Sequence, residues 1–161
     1  MKGGLGAAGI DEGAIAVRAL AAVNALGDVR DGEGRIVAGA RNQRGEWLDS
    51  AAWLARGGAE APSFDELAGK STTLCVVATN VALDQAQLGA LARAASAALY
   101  RRITPVATPY DGDVVFATAP LENEAGIAVN TVQLEALAVR ALEQAIERAV
   151  RTRVPGDILS R

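Results

Sequence analysis

Three hydroxyl side chains in succession, Ser71, Thr72 and Thr73, open onto the apolar run Leu74-Cys75-Val76-Val77-Ala78. A strand that begins on consecutive Ser/Thr residues presents a hydroxyl at a sheet edge with its backbone fixed, which is what a nucleophile requires. An ordinary loop meeting an ordinary strand uses the same residues. Successive strand residues face opposite sides, so Thr72 and Thr73 cannot both face one site. The chain contains no histidine. That removes the Ser-His-Asp and Cys-His constellations. It also removes the commonest zinc sites, which one cysteine cannot replace. A hydrolase of this composition needs a carboxylate, a lysine or an α-amine as its base. An N-terminal Thr or Ser whose own amine serves as base is one of the few solutions left.

Other polar candidates have bland readings beside the chemical one. Asp111-Gly112-Asp113 has the composition of a solvated turn. Asn24 suits the cap of a turn, and Cys75 suits a small buried hydrophobe. Gly69-Lys70-Ser71 resembles the end of a phosphate-binding loop, but Phe64 stands where that pattern needs glycine and a strand follows instead of a helix. Gly4-Leu5-Gly6-Ala7-Ala8-Gly9 matches a dinucleotide-binding pattern with no strand before it, so a Gly-rich turn is the expectation for the first thirteen residues.

These residues are positioned by elements whose periods are legible. Residues Ala14 to Asn24 alternate with period two, which suggests a strand, although their alanines would also suit a helix. Asp31-Gly32-Glu33-Gly34 is a turn signal ahead of a short strand at Arg35–Ala40, together a hairpin. Residues 41–71 read as a long surface connection, briefly helical around Leu48 to Leu54. Leu74–Ala78 reads as a buried strand. Leu88, Leu91, Ala92, Ala95 and Leu99 predict a helix over 84–102, with Arg101 and Arg102 at its C-terminal end and Pro105 and Pro109 beyond. Val114–Thr118 reads as a second buried strand, followed by the acidic loop Glu122-Asn123-Glu124. A second long helix is expected from about Asn130 to Arg151, with Glu143, Glu147, Arg148 and Arg151 on a solvated outer face and Pro155-Gly156 closing it. Strand–helix–strand–helix after a β-rich first half fits a layered α/β sandwich with helices outside.

At 161 residues the chain is expected to form one domain with a substantial core. A net charge of −3 and six aromatic side chains, two each of Phe, Tyr and Trp, argue against a nucleic-acid surface. No apolar run approaches the roughly eighteen residues a membrane span needs, and Met1-Lys2-Gly3-Gly4-Leu5-Gly6 lacks a signal-peptide core. The expectation is a cytoplasmic protein.

Several segments together resemble a known family. Thr72-Thr73-Leu74-Cys75-Val76-Val77-Ala78-Thr79-Asn80 is similar to the start of the catalytic chain in P1-family peptidases. These are the DmpA-type aminopeptidases of family S58, related to the nylon-oligomer hydrolases. The segment from Thr104 to Asp113 resembles their second catalytic segment. Lys2-Gly3-Gly4-Leu5-Gly6 and Val23–Val29 resemble the segments upstream of their cleavage site. The resemblance implies a four-layer α/β/β/α sandwich of the DmpA and ornithine acetyltransferase type, here lacking the family's N-terminal portion. It implies a precursor that cuts itself at Ser71–Thr72 into 1–71 and 72–161, with Thr72 as nucleophile. Ser71 stands where the family often has Asn or Gly. Asn24 matches the catalytic asparagine, and Asp111 and Asp113 match the acidic pair that orients the nucleophile. The implied substrates are peptides or small amides, the implied assembly is a homo-oligomer, and no cofactor is implied. Two other readings stand beside this one: a non-catalytic shortened relative that only assembles, and an ornithine acetyltransferase-like acyltransferase.

Overall fold

A computed structural model describes residues 3–58, 71–122, 126–128 and 130–151. Lys2, the 59–70 part of the long connection, Asn123-Glu124 and Pro155-Gly156 lie outside the described residues.

The chain builds β1 (Gly4–Glu12), β2 (Ile15–Asn24), β3 (Asp28–Arg30), β4 (Ile36–Ala38), α1 (Ser50–Ala55), β5 (Thr72–Thr79), α2 (Gln85–Ala95), α3 (Ala97–Arg102), β6 (Ile103–Thr104), β7 (Val114–Thr118) and α4 (Thr131–Arg151). A four-stranded sheet runs β1-β2-β5-β7. Its first two pairings are antiparallel, and β5–β7 is parallel. A smaller antiparallel sheet runs β4-β3-β6. The expected strand at 14–24, the 31–34 hairpin turn and the long C-terminal helix all form.

One face of the main sheet carries the core. In β2, Ile15, Val17, Ala19, Ala21 and Val23 point inward, and in β5 Thr73, Cys75, Val77 and Thr79 do. Helix α4 covers that face with Leu134, Leu137, Ala138, Ala141, Leu142, Ala145, Ile146 and Ala149, a stripe at three- and four-residue spacing. It lies along β1 and β2, with α2 and α3 beside it. The alanines of both partners bring helix and sheet close together.

The Gly-rich N-terminal segment is strand β1, where a turn was expected. A Cβ on Gly6 would lie 2.1 Å from the carbonyl oxygen of Ala145, and one on Gly4 2.0 Å from that of Ala149. The glycines are there so that the α4 backbone can rest on the strand. The single helix expected over 84–102 is two. Asp84 and Gln87 form a reciprocal capping box at its start. The break falls at Ser96, whose hydroxyl donates to the Arg93 carbonyl oxygen at 2.6 Å.

Neither β5 nor β7 is buried on both faces. Leu5, Leu20, Leu74, Val76 and Phe116 share the face away from α4 and are 37–59% exposed. The described residues therefore include a helix layer on a sheet layer whose other face is apolar and open. The outer face expected on α4 is also more tightly tied than sequence suggested. Glu143 and Glu147, at 12% and 22% side-chain exposure, pair with Arg102 at 3.2 and 3.0 Å. Arg151 reaches Asp31 at 3.4 Å, and Arg148 donates to the Ala7 carbonyl oxygen at 3.0 Å.

Candidate active site

Thr72 begins β5, a strand flanked on both sides. Across the antiparallel pairing it faces Asn24, the last residue of β2. On the other side the β5–β7 register continues past the named strands: Ser71 bridges to Asp111 in the same parallel sense. Asn24, Thr72 and the Asp111–Asp113 segment therefore meet at one end of the sheet. Directly paired antiparallel residues share a face, so Asn24 and Thr72 both look away from α4.

The hydrogen bonds here centre on one peptide bond. The Thr72 hydroxyl donates to the Ser71 carbonyl oxygen at 2.7 Å. The Gly112 N–H donates to that same oxygen at 3.1 Å. Both lone pairs of the oxygen are thus engaged by donors, which draws electrons from the carbonyl carbon. Asp113 Oδ1 accepts the Thr73 N–H at 2.6 Å and so holds the backbone just after the hydroxyl. Asp111 is turned elsewhere: its Oδ2 accepts from the Thr108 N–H at 2.9 Å and the Thr108 hydroxyl at 2.8 Å, bracing the 108–111 turn. The structure thus brings Thr72, Ser71, Asn24 and Asp113 together and directs the Asp111 carboxylate to its own loop.

Thr73 is fully buried on the helix side, and its hydroxyl has no hydrogen-bond partner among the described residues. Cys75 lies below it, also buried. Burial, and after it the negative charge of Asp113, push the Cys75 thiol up to about 12, so it stays protonated at neutral pH. Thr72 is the hydroxyl left facing outward. Among the described residues no group of three or more Asp, Glu or Cys side chains is gathered to hold a metal ion.

Two residues give little sign of their role in sequence. Gly112 reads only as the middle of Asp-Gly-Asp, yet its N–H donates to the Ser71 carbonyl oxygen. The signal available was the glycine itself, since a Cβ there would lie 2.9 Å from Thr72 Oγ1. Asp28 was noted only as part of a segment, yet it is wholly buried at the start of β3. It accepts the Ser50 N–H at 2.6 Å, the Ser50 hydroxyl at 2.8 Å and the Ala40 N–H at 3.1 Å, tying the front of α1 to the small sheet. Nothing local in sequence distinguishes a carboxylate that will be buried in this way.

The helix-backed mixed sheet is shared in fold with solved structures. An L-aminopeptidase D-Ala-esterase/amidase from Ochrobactrum anthropi, described as a variant of the Ntn-hydrolase fold, superposes with a TM-score of 0.51 at 22% identity. A β-aminopeptidase from Burkholderia sp. gives 0.54 at 22%, and the PH0078 protein from Pyrococcus horikoshii OT3 gives 0.55 at 19%. Each match covers 92% of this chain but only 39–42% of the other, so this chain spans about two-fifths of their length. At this identity the likeness is one of fold. No curated protein matches the chain in sequence. The model of peptidase family S58 matches residues 1–154, and the chain belongs to that family.

Proposed function

We propose that this chain carries the nucleophile of an N-terminal-nucleophile aminopeptidase or amidase, generated by self-cleavage at Ser71–Thr72. The observation that carries the reading is the Thr72 hydroxyl held 2.7 Å from the carbonyl oxygen of the residue before it. Membership of a peptidase family supports the reaction class, as does the absence of any histidine to act as base.

The chemistry runs in two stages. In the first, Thr72 Oγ1 attacks the Ser71 carbonyl carbon and its proton passes to the Thr72 nitrogen. The carbon–nitrogen bond breaks and an ester replaces the peptide. Water then hydrolyses the ester, releasing the Ser71 carboxylate and restoring the hydroxyl. In the second stage the new α-amine serves as base for the hydroxyl, because its ordinary pKa near 8 suits proton transfer at neutral pH. Asn24, paired with Thr72 on the open face, donates to the oxyanion of the substrate. Asp113 holds the backbone after the nucleophile, and in this reading its carboxylate pairs with the new ammonium. Asp111 acts through the turn it braces. The substrates are peptides or small amides with a free N-terminus, and the working form is a homo-oligomer in the cytoplasm.

Intact-mass measurement after prolonged incubation tests the reading. Wild type should give fragments 1–71 and 72–161, the second beginning on threonine. Thr72→Ala should remain one 16.5 kDa species. A wild-type chain that also stays whole removes self-processing from this protein.

A further inference from the structure

We infer that the backbone N–H of Gly112 is the oxyanion donor for cleavage of the Ser71–Thr72 bond, and that residue 112 lacks a side chain to leave room for the Thr72 hydroxyl. This rests on the self-cleavage reading above and assigns to that step a group outside the four side chains already named. The Gly112 N–H lies 3.1 Å from the Ser71 carbonyl oxygen, the atom that becomes negatively charged when the hydroxyl adds to the carbon. A donor already in place at that atom costs no reorganisation when the charge forms. It is also an ordinary rung of the extended β5–β7 ladder, so the sheet itself delivers it. When Thr72 Oγ1 turns from the Ser71 oxygen to the carbon, its own hydrogen bond is lost. The Gly112 N–H is the donor that remains.

The space argument is independent of the hydrogen bond. Gly112 is not one of the glycines with positive φ, so its backbone admits any L-residue. A Cβ there would have three nearest neighbours, all of them Thr72 side-chain atoms: Oγ1 at 2.9 Å, Cγ2 at 3.6 Å and Cβ at 3.8 Å. Alanine at this position would press on the nucleophile and on nothing closer. Asp113 and Asp111 on either side anchor Thr73 and Thr108, which keeps the N–H in line with Ser71.

The N–H is removed without changing shape by replacing Gly112 with glycolic acid in the full chain, which turns the amide into an ester. The same ester at Phe116, within the same ladder but away from the site, controls for loss of a sheet hydrogen bond. Fragments 1–71 and 72–161 are followed by intact mass, with hydroxylamine added in a separate run to the wild-type chain alone, which carries no installed ester, to trap the ester intermediate. The Gly112 ester should slow cleavage about a hundredfold or more, and the Phe116 ester should leave it within a fewfold of wild type. Gly112→Ala, which keeps the N–H, should also slow cleavage at an unchanged circular dichroism spectrum. A Gly112 ester no slower than the Phe116 ester overturns the donor. Gly112→Ala cleaving at the wild-type rate overturns the space requirement. A wild-type chain that stays whole even with hydroxylamine overturns the self-cleavage reading and this inference with it.

Discussion

The side chains of Thr72 and Thr73 leave β5 on opposite faces, Thr73 fully buried against the helices and Thr72 half-exposed beside Asn24. Strand alternation allows only one of them on the open face, and burial shows that this one is Thr72. The same alternation sends Cys75 inward with Thr73. With its thiol pushed up to about 12, Cys75 should not react with a thiol reagent at pH 8 while the protein is folded, and should react fully once it is denatured. Rapid labelling of the native protein would show that the inner face of β5 is not packed as described. Asp111 and Asp113 looked equivalent in sequence, two carboxylates either side of a glycine. They diverge in their partners: the Asp113 carboxylate reaches across to the Thr73 N–H of β5, whereas that of Asp111 folds back onto Thr108.

Amphipathic periods made β2, α4 and the helical stretch after Asp84 readable. β1 was not readable, because its glycines have no pattern of their own. Their reason lies in α4, some 140 residues further on. Gly6→Ala puts a methyl group 2.1 Å from the Ala145 carbonyl oxygen and 2.3 Å from the Ala149 nitrogen. Backbone cannot step aside as a side chain does, so the substitution should cost about 3 kcal/mol of stability, the upper end for overpacking. A thermal melt would read this as a drop of several degrees, and an unchanged midpoint would contradict the close approach. The strands β5 and β7 were read as buried because their residues are continuously apolar. A sheet face that is apolar and open looks the same in sequence as one that is covered.

Across the whole molecule, charge ties the small sheet to the helices. Asp31, 5% exposed, accepts the N–H groups of Glu33 and Arg35 and the Arg35 guanidinium, and pairs with Arg151. Burial works against its ionisation, but the N–H and guanidinium of Arg35 and the N–H of Glu33 outweigh it and hold the carboxyl below the usual range. An unfolded aspartate titrates near 4. The stability linked to Asp31 is therefore fully present above about pH 4 and is lost as pH falls through the lower folded value. Asp49 is held low too, first by the Ala52 N–H and then, against burial, by Arg30. Urea midpoints between pH 6 and pH 3 should fall for wild type and fall less for Asp31→Asn, with Asp49 supplying part of the remaining slope. Equal slopes would remove Asp31 as a contributor.

The sequence by itself determined the long C-terminal helix, the strands β2 and β5, and a composition that offers no histidine as a base. The first two follow from period, and the third from composition, and neither needs a partner segment to be known. The family resemblance and its candidate residues were legible for the same reason, since motif order is a property of the chain. Only the tertiary structure decided which way each carboxylate points, why the first glycines are a strand, and that Asp28 is buried. It alone put a backbone N–H from residue 112 on the carbonyl of residue 71. Each of these depends on which distant segment arrives alongside, and a local pattern carries no record of that.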